Sequence, residues 1–187
     1  YMSDLWESLQ KEICPSLHGA RRKIFFDLAD PEKRNEQDII RALNLISGFE
    51  KYFEVILGLN EKEAYEISAV LGLSQQPNTP DGLGGLSRAI NQKLKINTLV
   101  IHPVTYALAT SQDVVHLVAG PFVGQPLITT GAGDHFNAGF CLGKMLGLNN
   151  ALSVLIGVTT SGFYVRTATS PTVLQLVESM RNWQERK

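Results

Sequence analysis

The feature that most constrains this chain is an alternation of short apolar runs with stretches whose apolar residues recur at helical spacing. "KIFFDLAD", "FEVILGLN" and "INTLVIHP" are the apolar runs and read as buried strands. Between them lie helical patterns. Glu36 to Ser47 places Ile39, Ile40, Leu43 and Ile46 on one side, "EKEAYEISAVLG" stops at Gly72, and "LSRAINQKLK" follows the breaker-rich loop "SQQPNTPDGLGG". Ahead of the first strand, "DLWESLQKEI" predicts an amphipathic helix with Leu5, Trp6, Leu9 and Ile13 on one side. It should end near Cys14-Pro15, because proline disfavours helix in the residue before it. "YALATS" and "VVHLVAG" read as a hairpin or an edge extension, and Pro121 to Pro126 as a connecting loop. Three helices are expected after it, at Phe136 to Leu146, Ala151 to Tyr164 and Pro171 to about Trp183. Such alternation predicts an α/β fold, a mainly parallel sheet with helices on both faces.

Composition bounds the function. At 187 residues, with 44% hydrophobic and 19% charged residues, the chain can fill one core, and no internal repeat or linker divides it, so a single domain over 1–187 is expected. A net charge of -1, with only Arg21, Arg22 and Lys23 as a basic run, argues against a nucleic-acid partner. The two cysteines, Cys14 and Cys141, suggest neither a disulfide framework nor a metal knuckle, which fits a reducing cytoplasm. No apolar run approaches the roughly 18 residues of a membrane span, and no signal pattern opens the chain, so no membrane partner is expected. The chain begins at Tyr1 rather than methionine, and its first strand arrives only at Lys23, as expected of part of a longer protein.

In open parallel sheets, ligands bind beyond the C-terminal strand ends. Asp27, Asp30, Asn60, Glu63, His102 and the stretch "ITTGAGDHFNAGF", Ile128 to Phe140, all fall at such ends. Gly131 and Gly133 leave no Cβ in the way of a bulky ligand, and the first N–H groups of the helix that follows have no partner of their own, so donors can converge on an anion. Asp134 would repel bound phosphate unless it faced something else, such as a hydroxyl about to attack that phosphate. The bland alternative is a capping aspartate beside a glycine turn.

"TTGAGDHFNAGF" resembles the C-terminal signature of the ribokinase-like carbohydrate kinases, the PfkB family, in which Thr-x-Gly-Ala-Gly-Asp-x-Phe carries the anion hole and the catalytic base. The resemblance implies a ribokinase-like fold lacking its N-terminal portion, so that 1–187 would be the C-terminal, nucleotide-binding part. It also implies ATP with Mg2+, a small-molecule sugar substrate and, as is frequent in the family, a homodimer. The activity implied is ATP-dependent phosphoryl transfer to a sugar hydroxyl, with this fragment alone inactive. Asp134 would be the base, while Thr130, Gly131, Ala132 and Gly133 would form the anion hole. "LGLNEKEA" resembles the family strand followed by Asn-x-x-Glu, which makes Asn60 and Glu63 the magnesium-organising pair; alone, the same residues read as an ordinary helix cap. "LSVLIGVTTSGFYV" resembles the helix bordering adenine, which puts Val158, Thr159, Ser161 or Gly162 near the base, with Thr159 chosen as ATP-binding. "FDLADPEKR" resembles a strand leading to a basic residue near the triphosphate, here Lys33 or Arg34.

Two positions depart from the family pattern. Ile128 stands where many members have an aspartate that helps bind a monovalent cation, and an alkyl side chain cannot coordinate potassium. His102-Pro103-Val104 replaces the usual Thr-x-Gly that meets the phosphates, so His102 is either a phosphate donor or a satisfied structural histidine. His18, His116 and His135 show no metal-ligand spacing, and His135 occupies a variable place beside Asp134. The alternatives to a kinase are a non-catalytic nucleotide or sugar sensor and, more weakly, an assembly module in which the glycine loop is only a turn.

Overall fold

Strand β2, Phe53–Leu59, sets the architecture, because Val55, Ile56, Leu57 and Leu59 are all buried on its two faces. A strand apolar on both faces must be covered on both, the signature of a parallel α/β sheet. β1, Arg22–Asp27, pairs with β2 in parallel with Phe26 opposite Leu57. β3, Thr98–Ile101, pairs with it in parallel on the other side, Leu59 opposite Ile101. The computed structural model describes residues 2–28, 34–121 and 123–182, so Asp30, Lys33 and Trp183 lie outside the described residues.

Two further strands, β4 (Tyr106–Ser111) and β5 (Val114–Ala119), complete a sheet in the order β1-β2-β3-β4-β5. Only Gln112 and Asp113 separate β4 from β5, and both have left-handed φ, 49° and 67°, as a tight hairpin turn demands. The fold expected from the sequence, a mainly parallel α/β sheet with helices on both faces, therefore holds, and the hairpin reading of its edge is the correct one. No described helix is long and apolar enough to cross a membrane.

The chain divides into two compact units. Tyr1–Ile101 with Thr110–Val115 carries helices α1 (Met2–Ser8), α2 (Glu36–Phe49), α3 (Glu61–Val70) and α4 (Pro80–Leu94). Its core is built from Leu43, Ile46 and Phe49 of α2, Ile67 of α3 and Leu83, Leu86 and Ile90 of α4, with β2 and β3. Glu50 ties the strand starts together: its carboxylate accepts from the N–H of Val55 at 3.1 Å and of Asn97 at 2.8 Å, and also from Arg21.

Two expectations change in this unit. The sequence places "PDGLGG" in a loop, yet α4 begins at Pro80, with Thr79 as N-cap accepting from Gly82 N–H at 3.1 Å. Proline suits the first helical position, where its missing N–H is not needed. Gly82 acts here through close approach rather than as a breaker, since a Cβ would sit 2.1 Å from the Pro77 carbonyl oxygen. The N-terminal helix, in turn, widens after Ser8 into a π turn, Leu9–Ile13, and then tightens into a 3-10 turn, Cys14–Ser16. The wider turn rotates Ile13 off the expected face. Leu5 and Ile13 are more than half exposed, while Trp6 packs edge-on to Phe26 with ring centroids 5.0 Å apart.

The second unit, His102–Ala109 with His116–Lys187, carries α5 (Ala132–Met145), α6 (Asn150–Thr167) and α7 (Val173–Arg181). α5 starts four residues before the apolar periodicity at Phe136 that marks it in the sequence. It packs on α6 with almost no side chain between: a Cβ on Gly139 would lie 2.3 Å from Thr160 Oγ1 and 2.9 Å from the Ile156 carbonyl, and one on Gly143 would lie 2.7 Å from Ser153 Cα. Gly157 of α6 likewise lies under the Phe136 ring, 2.7 Å from where its Cβ would be.

Candidate active site

Five of the six helices α2 to α7 begin on a side-chain cap. Asn35, Asn60, Thr79, Asn149 and Thr172 each accept from a backbone N–H of the first turn. Helix α5 begins differently, on Gly131 at φ 86°, with no side-chain cap among the described residues. The left-handed backbone favours glycine there, and an added Cβ would also press on Tyr164 Oη at 3.2 Å. A helix start without a cap leaves its first-turn donors and its positive dipole end for something other than the protein. Ala132 N–H turns back to the Thr129 carbonyl at 3.1 Å; Gly133 and Asp134 follow in the first turn, where the helix offers no carbonyl.

Asp134 is exposed on this turn, and Thr130 is exposed beside it. An exposed carboxylate at the third helical position can take a proton from a bound hydroxyl, as a general base requires. His102 comes to the same loop. Its Cε1 lies 3.2 Å from where a Cβ on Gly133 would be, and its ring packs on Phe136 with centroids 4.8 Å apart. Gly133 therefore makes room for the half-buried imidazole.

The loop is held from behind by His135 and Tyr164, to which the sequence assigned no role in the site. Tyr164 Oη donates to the Thr130 carbonyl at 3.0 Å, and the Gly131 carbonyl accepts twice from His135, from its N–H at 3.0 Å and from Nδ1 at 2.8 Å. A carbonyl only accepts, so Nδ1 carries the proton, and in the neutral ring Nε2 accepts from Ser170 Oγ at 2.9 Å. The rings of His135 and Tyr164 stack with centroids 3.6 Å apart and planes 11° from parallel. The available signal was the spacing of His135 from Gly131, one helical turn, which lets a side-chain donor reach back to the N-cap carbonyl.

Thr159 is buried on α6, and its hydroxyl donates to the Leu155 carbonyl at 2.7 Å; Val158 and Gly162 are buried beside it, and Ser161 is half-buried. Ile128 is half-buried and Arg34 exposed. Cys141, also on α5, is half-buried, and burial pushes its thiol up.

In the first unit, Asn60 and Glu63 form a reciprocal capping box at the start of α3: Asn60 Oδ1 accepts from Glu63 N–H at 2.9 Å, and Glu63 Oε2 accepts from Asn60 N–H at 2.8 Å. The cap reading of this pair is thus structurally real. It does not exclude magnesium, because a carboxylate has about four acceptor sites, and magnesium keeps several waters and takes only one or two carboxylates. No group of three or more His, Cys, Asp or Glu arranged to hold a metal occurs among the described residues.

Fold and loop together define a class, the ribokinase-like kinases. The nucleoside kinase of Methanocaldococcus jannaschii, an archaeal member of the ribokinase family, superposes with a TM-score of 0.67 at 19% identity, over 95% of this chain and 53% of that one. Thermotoga maritima ribokinase does so with a TM-score of 0.66 at 18% identity, over 96% and 61%. Within that class, a family model for prokaryotic ketohexokinase matches residues 1–183, and the chain belongs to this family of PfkB-type carbohydrate kinases. A ketohexokinase of Haloferax volcanii is 26% identical over 175 residues, which cover 94% of this chain and 45% of that protein. The chain thus spans about half the length of the curated relative it matches.

Proposed function

We propose that the intact protein transfers the γ-phosphoryl group of ATP to a hydroxyl of a ketohexose, and that this chain is the C-terminal, nucleotide-binding part of its ribokinase-like domain. One observation carries the reading: α5 begins on a left-handed glycine with no side-chain cap, while each of the other helices from α2 to α7 has one. The N–H groups of Gly131, Gly133 and Asp134 then receive the charge that develops on the transferring group, while Ala132 N–H stays on the Thr129 carbonyl, and Thr130 and His102 flank the site. Asp134 takes the proton of the attacking hydroxyl. Magnesium, when bound with ATP, neutralises charge on the phosphate oxygens, and Asn60 with Glu63 would hold it through water. The ketohexose comes from the family match and the Haloferax volcanii relative.

The test is ATP-dependent phosphorylation of ketohexoses, aldohexoses, sugar acids and nucleosides by the intact protein, with Asp134→Asn alongside. The expected result is product from a ketohexose, with turnover in the variant lower by about 10²–10⁴-fold, the usual contribution of a general base. An unchanged rate in Asp134→Asn would remove the base assignment. Saturable ATP binding with no product from any sugar would turn the reading to a non-catalytic sensor.

A further inference from the structure

We infer that His135 and Tyr164 are positioning residues that set the direction of the Gly131 amide and hold the turn that presents the anion-hole donors, acting as a two-point clamp on the peptide planes on either side of Gly131. The inference rests on the phosphoryl-transfer reading of this loop and adds to it two residues that touch no reacting atom.

A trans peptide is a rigid plane in which the C=O and the N–H point to opposite sides. Holding one fixes the other. Tyr164 Oη holds the Thr130 carbonyl at 3.0 Å, so the N–H of Gly131 is turned to the side away from Tyr164. His135 holds the Gly131 carbonyl twice, at 3.0 Å through its backbone and 2.8 Å through Nδ1, which keeps the next plane and its turn to Thr129 in place. Between the two planes sits Gly131 at φ 86° and ψ 0°, a residue that populates both signs of φ about equally. Without the clamp, the residue that gives the loop its shape is also the one most able to lose it.

The clamp is itself supported. Stacking of the two rings at 3.6 Å and the hydrogen bonds of Nδ1 with the Gly131 carbonyl and of Nε2 with Ser170 Oγ hold the imidazole in one plane. Tyr164 lies on α6 and His135 on α5, so the glycine-tight crossing of these helices sets their separation. A side chain whose task was only to fill space would need neither the donor at Nδ1 nor the acceptor at Nε2. Donors aimed in advance at developing charge act mainly in the transition state, so a loosened clamp should lower kcat and leave KM little changed.

Four variants of the intact protein test this. His135→Phe keeps the stack on Tyr164 and removes the donor, His135→Asn restores a donor near the Nδ1 position, and Tyr164→Phe removes only the hydroxyl; His135→Phe with Tyr164→Phe completes a cycle. Removing a whole oxyanion donor lowers kcat by about 10²–10³-fold, so loss of one of two holding points should lower it about 10-fold. The expected result is about that loss in His135→Phe and in Tyr164→Phe with both KM values within about 2-fold, recovery of most of it in His135→Asn, and a double variant less than multiplicative. Hydrogen exchange of the peptide spanning 128–140 gives a readout without turnover, and should rise in the two Phe variants while α6 keeps its protection. If wild type makes product and His135→Phe keeps full kcat, the clamp is overturned. If wild type makes no product, the phosphoryl-transfer reading fails instead, and unchanged exchange in both Phe variants would then overturn the clamp on its own.

Discussion

Removing the Glu50 carboxylate should destabilise the protein through the amides it leaves behind rather than through the ion pair it breaks. The carboxylate accepts from Val55 N–H and Asn97 N–H, at the start of β2 and just before β3, and from Arg21. Arg21 and Glu50 have side chains 48% and 22% exposed, so their ion pair is worth about 0.5 kcal/mol. Both amides are part-buried, and an unpaired part-buried amide costs about 1–1.5 kcal/mol, toward the low end of the range for buried groups. Glu50→Ala is therefore expected to lose about 3 kcal/mol and Glu50→Gln, whose one amide oxygen can replace the single carboxylate oxygen that both amides share, under about 1 kcal/mol. Arg21→Ala should lose under about 1 kcal/mol, because the Glu50 and Phe53 carbonyls it also reaches are at exposed positions where water can replace it. The assay is urea unfolding of the intact protein followed by tryptophan fluorescence, since Trp6 packs on Phe26 in the same unit. Midpoint shifts at unchanged slope give the three values. If Arg21→Ala proved as costly as Glu50→Ala, the ion pair would be what matters and the argument from stranded amides would be wrong.

Three other outcomes follow from the packing and the titrations. Gly139→Ala drives a Cβ to within 2.9 Å of the Ile156 carbonyl, a backbone atom that cannot rotate away, so a loss of about 3 kcal/mol is expected in thermal unfolding. Ala168→Gly at the left-handed end of α6, φ 55°, should raise the stability measured by urea unfolding by about 0.5–1 kcal/mol without changing kcat. Burial raises the Cys141 thiol, so its contribution to stability is present below the titration of the unfolded thiol and is lost as pH rises above it. Unfolding measured at pH 8 and pH 10 should show a smaller alkaline loss in Cys141→Ala than in wild type.

The strands were legible because their apolar runs serve two covered faces, and helix α2 because its stripe faces one core. The loop stood out because Gly-Ala-Gly-Asp runs into a helical pattern and resembles a family signature; the residues alone left a capping aspartate in a glycine turn equally open. The first turn of α4 was not, since its proline and glycines are breakers by composition, and only the fold shows that Thr79 caps them and that Gly82 lies against Pro77. Nor was the π turn, because a periodicity that holds up to Leu9 gives no sign of widening there. His135 was read as a variable neighbour of Asp134, and its partner Tyr164 lies 29 positions away on another helix, a pairing that tertiary structure alone creates. The partner of the Thr159 hydroxyl was not legible either: it donates to the Leu155 carbonyl of its own helix.

The glycine-lined crossing of α5 and α6 means that the loop's tolerances are metered from a distance. Gly139 lies five residues beyond Asp134, about 7 Å along the helix. Gly143 lies one turn further, and neither borders the turn where a phosphoryl group would sit. Yet any side chain at these positions would wedge the helices apart and carry Tyr164 away from Thr130, and a hydrogen bond survives only a few tenths of an ångström of such drift. Sites that no substrate reaches should thus be nearly as intolerant of variation as the aspartate itself, and damage there would read in an assay as a catalytic fault.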